Sequence, residues 1–488
     1  MLATLGRCMR CAIAKLTCMV GAMIALGIMG CAEEPTGMRS VSRLKLDVSS
    51  KFPHDVPHIK LQIDNALKHR DVVTIDHDVP HVSTVPANLG ETVYLRVRER
   101  VKQRDLRDLE RGRERPGNED HNNGDHNNGD HNNGNHNDGD HNDGDHDDDP
   151  RTVALMIHGA SVPVQPGFEL RTDHYDWALS LAQSAGIDVF MLDFQGSGKS
   201  PRPKMDNPCN APAADQTRAL IPNPLPATCP PSYPFTLGST RSDWDELDTV
   251  VDYIRRIRQV EKVHLIAWSQ GSARIGPYSV QHPDKVASLF FFASIFNPAA
   301  PAGTGPDGFT PPVSLPRPGT PMTIRTRADI QALWDGEQTC EGQREDGIEE
   351  IVWDAIMDND DIGSTWGRPL PGAPADSPAD GVMRVRNPFL FGWNLSSASR
   401  ITVPSLIIRG EFDKGDGGIQ KLEELYDAIR NPNKLRFVAA CAGHRMNWES
   451  QRRILQHISK KWLTRGNIQG FTTGEFFIDR EGALTPLP

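Results

Sequence analysis

The chain has 488 residues, 38% of them hydrophobic, which is enough to bury a large core and would allow two or three domains. Its formal net charge is −11, but residues 119–149 contain eleven carboxylates and neither Lys nor Arg, so the rest of the chain balances 53 acidic against 53 basic residues. A chain without a basic surplus lacks the positive surface that holds nucleic acid, and we exclude nucleic acid as a partner.

The first thirty residues have the pattern of an export signal. Arg7, Arg10 and Lys15 precede fifteen uncharged residues, a run too short to cross a bilayer comfortably. The run ends in the tetrapeptide IMGC, which is similar to the cleavage box of bacterial lipoproteins. We therefore predict a signal peptide at 1–30, lipidation of Cys31, and a lipid-anchored location in the bacterial cell envelope. Ordinary signal-peptidase cleavage, giving a secreted or periplasmic protein, is the alternative.

Residues 31–70 are polar and mixed, and we interpret them as a tether. Alternating apolar residues then predict antiparallel strands in the segment 71–117, which ends in a charged stretch. A repeat with His at every fifth position occupies 118–150. It has no apolar side chains to bury and should be disordered. Its imidazoles and carboxylates are ligands that could bind divalent metal weakly, but it lacks calcium-loop signatures, and we predict no defined metal site.

From residue 151 onward, strands and helices alternate. Apolar strands are predicted at 153–157, 187–194, 263–267, 287–294, 404–410 and 435–440, and helices at 168–186, at 242–260 with Asp243 as its cap, from Ser272, at 418–430 and at 450–464. This alternation predicts an α/β fold, with a mostly parallel sheet covered by helices on both faces.

The predicted core has two parts, 151–296 and 401–466. Between them, residues 297–400 are rich in Pro, Gly and Trp and hold two predicted helices. We interpret this segment as an inserted cap over the carboxyl ends of the strands, where ligands bind in such sheets. The tail at 467–488 receives no assignment.

Four cysteines remain beyond the predicted lipidation site: Cys209, Cys229, Cys340 and Cys441. An even number in an exported protein favours disulfides over catalytic thiols or metal ligands. Cys209 and Cys229 share a proline-rich excursion at 201–236 that packing alone would hold poorly, so we expect them to pair. Cys340 and Cys441 would then pair between cap and core or stay free.

A nucleophilic serine is predicted in the turn WSQG, between the strand at 263–267 and the helix from Ser272. A tight strand-to-helix turn exposes the hydroxyl of Ser269, and the small residues Ala267 and Gly271 let the backbone close. The start of the following helix supplies free N–H groups for a developing oxyanion. Alternatively, Ser269 is only a helix cap.

Two further groups complete a catalytic triad. Asp413 lies three residues past the strand at 404–410, and His444 lies four residues past the strand at 435–440. The order Ser, acid, His is that of the α/β-hydrolase fold, in which the His takes the serine proton and the carboxylate orients the imidazole. Asp416 is the main competing acid and Glu411 ranks last. A loop His that bonds a backbone carbonyl is the alternative for His444.

Six stretches in order resemble serine esterases and lipases of the α/β-hydrolase superfamily: HGA (158–160), DFQGSGKS (193–200), AWSQG (267–271), QHPDKV (281–286), GEFD (410–413) and GH (443–444). The resemblance covers about residues 151–465. It implies cleavage of small-molecule or lipid esters without a cofactor, and an oxyanion hole made by the backbone N–H groups of Ala160 and Gln270. It also implies that His158 packs the loop rather than acting in catalysis, and Asp193 is expected to fix the turn that follows it.

The same triad also serves peptidases and amidases, acyltransferases and cofactor-free haloperoxidases, which stay open as alternatives. Haloalkane dehalogenases and epoxide hydrolases of this superfamily use Asp as the nucleophile. The Ser at that position in this sequence therefore argues against their chemistry. A different class of function, a non-catalytic metal-binding surface lipoprotein, would use the hydrolase domain as a scaffold only. Three catalytic groups at three strand ends make that reading the weaker one.

Overall fold

Eleven strands form one sheet in the part of the chain that the computed structural model describes, which is residues 59–62, 71–107 and 151–488 without 161, 173, 375, 416 and 417. Two more described strands form a second, small sheet. In chain order the strands of both sheets are β1 Ile59–Gln62, β2 Val72–Val82, β3 Thr92–Lys102, β4 Val153–Ile157, β5 Asp188–Leu192, β6 Val263–Trp268, β7 Val286–Phe292, β8 Met322–Arg325, β9 Met383–Arg386, β10 Ser405–Gly410, β11 Lys434–Ala439, β12 Gly474–Ile478 and β13 Leu484–Pro486. Their order across the sheet is β1-β2-β3-β5-β4-β6-β7-β10-β11-β12-β13, and β8 pairs with β9 in a separate sheet.

The middle of the large sheet confirms the predicted α/β fold. All strand pairs from β5 to β12 in that order are parallel. Every residue of β4, β5 and β10 is buried, because helices cover both faces, and these strands are therefore apolar runs rather than alternating patterns. Alternate residues of β4 enter two different cores: Ala154 packs on one side of the sheet and Leu155 on the other.

Both ends of the sheet extend beyond the prediction. Strands β2 and β3 are antiparallel, as predicted, but β1 pairs with β2 as well, so the predicted tether at 31–70 contains a strand. At the far end, the unassigned tail supplies β12, which runs parallel to β11, and β13, which runs antiparallel to β12.

The helices lie between the strands as the alternation predicts. They are α1 Val164–Phe168, α2 Trp177–Ala185, α3 Thr240–Arg258, α4 Ser272–Gln281, α5 Arg327–Asp335, α6 Ile348–Met357, α7 Leu395–Ala398, α8 Gly418–Ala428 and α9 Arg452–Arg465. A further helical turn at Ala213–Asp215 lies in the proline-rich excursion.

Three predicted helix starts are wrong, and one of them is the helix predicted from residue 450, which begins at Arg452. The helix predicted from residue 168 begins at Trp177, because the side chain of Asp176 caps it by accepting a 2.7 Å hydrogen bond from the N–H of Leu179. The helix predicted from residue 242 begins at Thr240, and its cap is Ser239 rather than Asp243. Asp243 lies inside the first turn and is fully buried.

The segment 297–400, interpreted as a cap, holds α5, α6, α7 and the small sheet of β8 and β9. The disulfide Cys340–Cys441 joins this segment to the turn after β11, with a Cα–Cα distance of 5.6 Å. The disulfide Cys209–Cys229, with a Cα–Cα distance of 5.3 Å, closes the proline-rich excursion. The structure thus pairs all four of the cysteines that were candidates for disulfides.

The predicted signal peptide, Cys31, most of the predicted tether and the His-containing repeat lie outside the described residues. Among the helices that are described, none is both long and apolar enough to cross a membrane.

Candidate active site

Ser269 sits at a sharp turn between β6 and α4. Its φ angle is 57°, in the left-handed region that a residue with a side chain seldom adopts. The next two residues continue a single helical turn, Ser269–Gly271, that runs directly into α4. Strained backbone at a serine between a strand and a helix is typical of a nucleophile elbow, and it argues against the simpler role of a helix cap.

The residues on either side of Ser269 explain the pattern A-x-S-x-G. A Cβ atom at Gly271 would lie 2.8 Å from the carbonyl oxygen of Ile157 and 2.9 Å from that of His158, so only glycine fits there. The same Cβ atom would lie 3.2 Å from Cβ of Ala267, so the alanine that stands in place of the usual first glycine fits beside a residue 271 that has no side chain. Gly271 is therefore required.

The structure brings Ser269, His444 and Asp413 together in line. Nε2 of His444 lies 2.9 Å from Oγ of Ser269, and Nδ1 lies 2.9 Å from Oδ1 of Asp413. An ionised carboxylate only accepts hydrogen bonds, so Nδ1 carries the proton and Nε2 is left to accept from the serine hydroxyl. This is the tautomer that a general base needs.

Asp413 is the carboxylate that faces the imidazole. Burial alone would raise its pKa, but the charge of His444 when it is protonated, the hydrogen bond from His444 and the charge of Arg409 outweigh burial and hold the pKa of Asp413 below its usual value. It is therefore ionised at neutral pH. Glu411 is turned away and accepts a 3.1 Å hydrogen bond from the N–H of Cys441. The competing acid Asp416 lies outside the described residues.

One predicted oxyanion residue is the neighbour of the serine in sequence, and the other follows a glycine that packs against the serine. Gln270 directly follows Ser269 at the start of a helical turn, where backbone N–H groups have no partner within the helix. Ala160 follows Gly159, which packs so closely that a Cβ on Gly159 would lie 3.0 Å from Cβ of Ser269. Their role as an oxyanion hole stays a prediction.

A buried ion pair supports the loop that carries Ala160, and sequence reasoning missed it. Arg274 donates hydrogen bonds to the carbonyl oxygens of His158 and Gly159, at 2.6 and 3.2 Å, and pairs with Asp243 at 2.8 Å. Burial opposes ionisation of Asp243, but Arg386 and Arg274 outweigh it and hold the pKa of Asp243 below its usual value. The sequence did contain a sign of this ion pair, because Asp243 lies on the apolar face of α3, but we interpreted Asp243 as the helix cap.

His158 and Asp193 hold loops in place, as predicted. His158 is fully buried, and burial keeps its pKa well below the usual value, so the ring stays neutral. Its Nδ1 lies 2.7 Å from the carbonyl oxygen of Gly159. Asp193 accepts hydrogen bonds from the N–H groups of Val164 and Lys199, at 3.0 and 3.2 Å, and so fixes the turn that follows β5.

Trp268 links the serine to the histidine turn. Its Nε1 donates a 3.0 Å hydrogen bond to the carbonyl oxygen of His444. Its ring packs edge-on against Trp448, with a centroid distance of 5.1 Å. The side chain directly before Ser269 therefore fixes the distance between β6 and the loop that carries the imidazole.

Comparison with known proteins identifies the family of the chain. Residues 154–456 match the model of the alpha/beta hydrolase family. Among proteins with curated functions, none matches the chain. Similar solved structures include a monoacylglycerol lipase of Paleococcus ferrophilus, 14% identical over 64% of this chain and 95% of that one, with a TM-score of 0.35.

Two others cover more of the chain. A thermophilic esterase of Thermogutta terrifontis is 11% identical over 79% of this chain and 98% of its own, with a TM-score of 0.38. A bromoperoxidase of Bacillus anthracis is 11% identical over 79% of this chain and 96% of its own, with a TM-score of 0.35. At such identities and TM-scores, the likenesses say nothing about what this chain acts on.

Proposed function

The chain belongs to the alpha/beta hydrolase family, and from this premise we propose that it is an exported serine hydrolase that cleaves carboxylic esters through an acyl-enzyme on Ser269. The observation that carries the proposal is the pair of 2.9 Å contacts that link Ser269 to His444 and His444 to Asp413. A hydroxyl, an imidazole and an ionised carboxylate in this order can activate the serine at neutral pH without a cofactor.

Acylation begins when Oγ of Ser269 attacks the ester carbonyl carbon while Nε2 of His444 takes the hydroxyl proton. The carbonyl π electrons move onto the oxygen, and the proposal assigns stabilisation of that oxyanion to the N–H groups of Ala160 and Gln270. When the carbonyl re-forms, the bond to the alcohol breaks and the alcohol leaves with the proton from Nε2. Water then repeats both steps on the acyl-enzyme, which releases the acid and restores Ser269.

The buried position of Asp413 matters for the charge that appears during this cycle. Once His444 has taken a proton it is positive, and the ionised carboxylate 2.9 Å away offsets that charge where water is largely excluded. The side chains of His444 and Asp413 are 13% and 5% exposed, so little solvent competes with the pair.

Export is the part of the proposal that rests on the sequence. The signal-peptide pattern and Cys31 support it, and so do the pairs Cys209–Cys229 and Cys340–Cys441, because structural disulfides persist mainly in oxidising compartments. By the same proposal, lipid on Cys31 would hold the enzyme at a membrane, and small-molecule or lipid esters are the substrate class.

The test is a substrate panel on the protein that starts after Cys31. Nitrophenyl esters of increasing acyl length are compared with the matching nitroanilides, with Ser269→Ala as the control. We expect turnover of esters well above that of amides, and its loss in the control. Faster amide cleavage would make the enzyme an amidase, dominant transfer to added alcohols an acyltransferase, and near-native turnover by Ser269→Ala would overturn the mechanism.

A further inference from the structure

Glu337 belongs to the segment 297–400 but reaches both loops that carry the acid and the histidine. It lies two residues after α5 and is only 4% exposed. Its Oε1 accepts a 3.0 Å hydrogen bond from the N–H of Lys414, the residue after Asp413. Its Oε2 accepts a 2.9 Å hydrogen bond from the N–H of His444. One side chain therefore connects the two loops through their backbones.

The space around this carboxylate is filled on the side of the histidine turn. A Cβ atom at Gly443 would lie 2.8 Å from Oε2 of Glu337 and 3.1 Å from Oε1 of Glu449. Glu449 accepts a 2.7 Å hydrogen bond from the N–H of Gly443 and a 2.9 Å hydrogen bond from Nε1 of Trp334. The turn before His444 is thus held between two carboxylates, and glycine is needed for it to fit.

The segment that bears Glu337 is itself tied to the same turn. The disulfide Cys340–Cys441 joins it covalently to a position three residues before His444. Cys441 has a φ of 53°, so the turn passes through a left-handed conformation that its surroundings must maintain. Arg445 lies 3.5 Å from Oε2 of Glu337 and balances part of its buried charge.

We propose that Glu337 is a positioning residue, which sets the separation between the Asp413 loop and the His444 loop so that the imidazole stays in line with Ser269. This inference rests on the proposed function and adds to it a role for the inserted segment. Both oxygens of the carboxylate accept backbone hydrogen bonds. Glutamine offers one acceptor and turns an NH₂ group toward the other N–H, and aspartate is too short to reach both loops.

The experiment compares Glu337→Gln and Glu337→Asp with wild type on the preferred ester of the panel. Turnover is expressed per serine labelled after fluorophosphonate labelling has gone to completion, so that unfolded protein does not count and slower labelling of a variant does not alter the result. We expect kcat to fall about 10- to 100-fold in both variants, with KM changed less than about threefold, because small displacements of reacting groups cost rate rather than binding. Glu350→Gln, an exposed carboxylate on α6, is the matched control and should leave kcat unchanged.

The outcomes separate this inference from the proposed function. An active wild type whose two Glu337 variants keep native kcat per labelled serine would overturn the positioning role alone, even if their melting temperatures fall. A rise in KM without a fall in kcat would place Glu337 in substrate binding and would also overturn the positioning role. A wild type that cleaves no ester and takes no fluorophosphonate would overturn the proposed function and, with it, this inference.

Discussion

Oδ1 of Asp413 accepts two hydrogen bonds, one from Nδ1 of His444 at 2.9 Å and one from the N–H of Gly415 at 2.8 Å. The position of Gly415 is part of this arrangement, since a Cβ atom there would lie 2.8 Å from Nδ1 of His444 and 2.9 Å from Oδ1 of Asp413. The loop after β10 is therefore closed tightly around the contact between Asp413 and His444, which argues that Asp413 is the acid.

Replacing the acid separates the two candidates. Asp413→Asn should lower kcat about 10³- to 10⁴-fold, because an amide can present its NH₂ group to Nδ1 and favour the wrong tautomer. Asp416→Asn should stay within about threefold of wild type. Steady-state kinetics on one ester decides the matter, and the opposite ranking would move the acid to Asp416.

The serine and histidine can be tested without knowledge of the substrate. A fluorophosphonate should label Ser269 in the native protein, and peptide mapping should find the adduct on that residue. Ser269→Ala should take no label, and His444→Ala should be labelled far more slowly, because the hydroxyl then has no base 2.9 Å away. His282→Ala, a partly buried histidine at the end of α4, is the control and should label at the native rate. Labelling of another serine would refute the assignment.

The two disulfides should differ in what they control. Gln216 donates to the carbonyl oxygens of both Cys209 and Cys229, at 3.0 and 3.1 Å, so this disulfide closes a small, locally bonded excursion. Removing it as Cys209→Ser/Cys229→Ser should cost about 3 kcal/mol in the free energy of unfolding and leave kcat nearly unchanged.

The matched pair is Cys340→Ser/Cys441→Ser, which should lower kcat as well as stability, because Cys441 lies three residues before His444. Denaturant unfolding and ester kinetics on both pairs provide the comparison. Free thiols at Cys209 and Cys229 in peptide maps prepared without reductant would contradict the first expectation.

Glu246 should make stability depend on pH. It is fully buried and accepts hydrogen bonds of 3.0 and 2.9 Å from the backbone and side-chain N–H groups of Gln195. Burial raises its pKa to about 7, against the opposing charge of Arg386. In the unfolded chain the carboxyl ionises near its usual pKa of 4.5. The contribution of Glu246 to stability is therefore complete below that pH and is lost as pH rises through about 7.

The measurement is the free energy of unfolding at pH 5 and pH 8. The difference between wild type and Glu246→Gln should change between these values by on the order of 3 kcal/mol, with the variant gaining relative to wild type at high pH. Glu261→Gln, at an exposed position, controls for the loss of one carboxyl. Parallel pH profiles for wild type and Glu246→Gln would show that the buried carboxyl stays ionised throughout.

The parts that could be predicted from the sequence are those that local pattern determines. Five-residue apolar runs such as β4 have few alternatives to a buried strand, and Ser269, Asp413 and His444 each follow such a strand closely. Because the carboxyl ends of parallel strands share one edge of the sheet, the order of these residues was enough to bring them together.

The parts that could not be predicted depend on partners far along the chain. Asp243 looked like a cap because a carboxylate at a helix start often is one, but its partners Arg274 and Arg386 are 31 and 143 residues away. Glu337 had no local signal at all, since its acceptor role depends on where two loops of the core fall. The strand β12 was missed because it begins with Gly474 and Glu475, and only its last three residues are apolar.

The histidine-containing repeat is expected to be dispensable for catalysis. It lies between β3 and β4, contains none of the triad, and has no apolar side chains to pack on the core. Deleting residues 118–149 should leave ester turnover within about threefold, because loop length changes closure free energy by only ~0.6 kcal/mol per doubling.

Calorimetry with zinc should show weak binding to the full chain that fades as pH falls through about 6.5, where imidazole protonates. A full-length variant with the repeat's six histidines changed to asparagine should bind no zinc and keep native turnover. Because this variant keeps the length and the carboxylates of the repeat, it tests the effect of metal binding alone. A large loss of turnover on deletion, or activity that zinc restores, would instead place the repeat in the catalytic machinery.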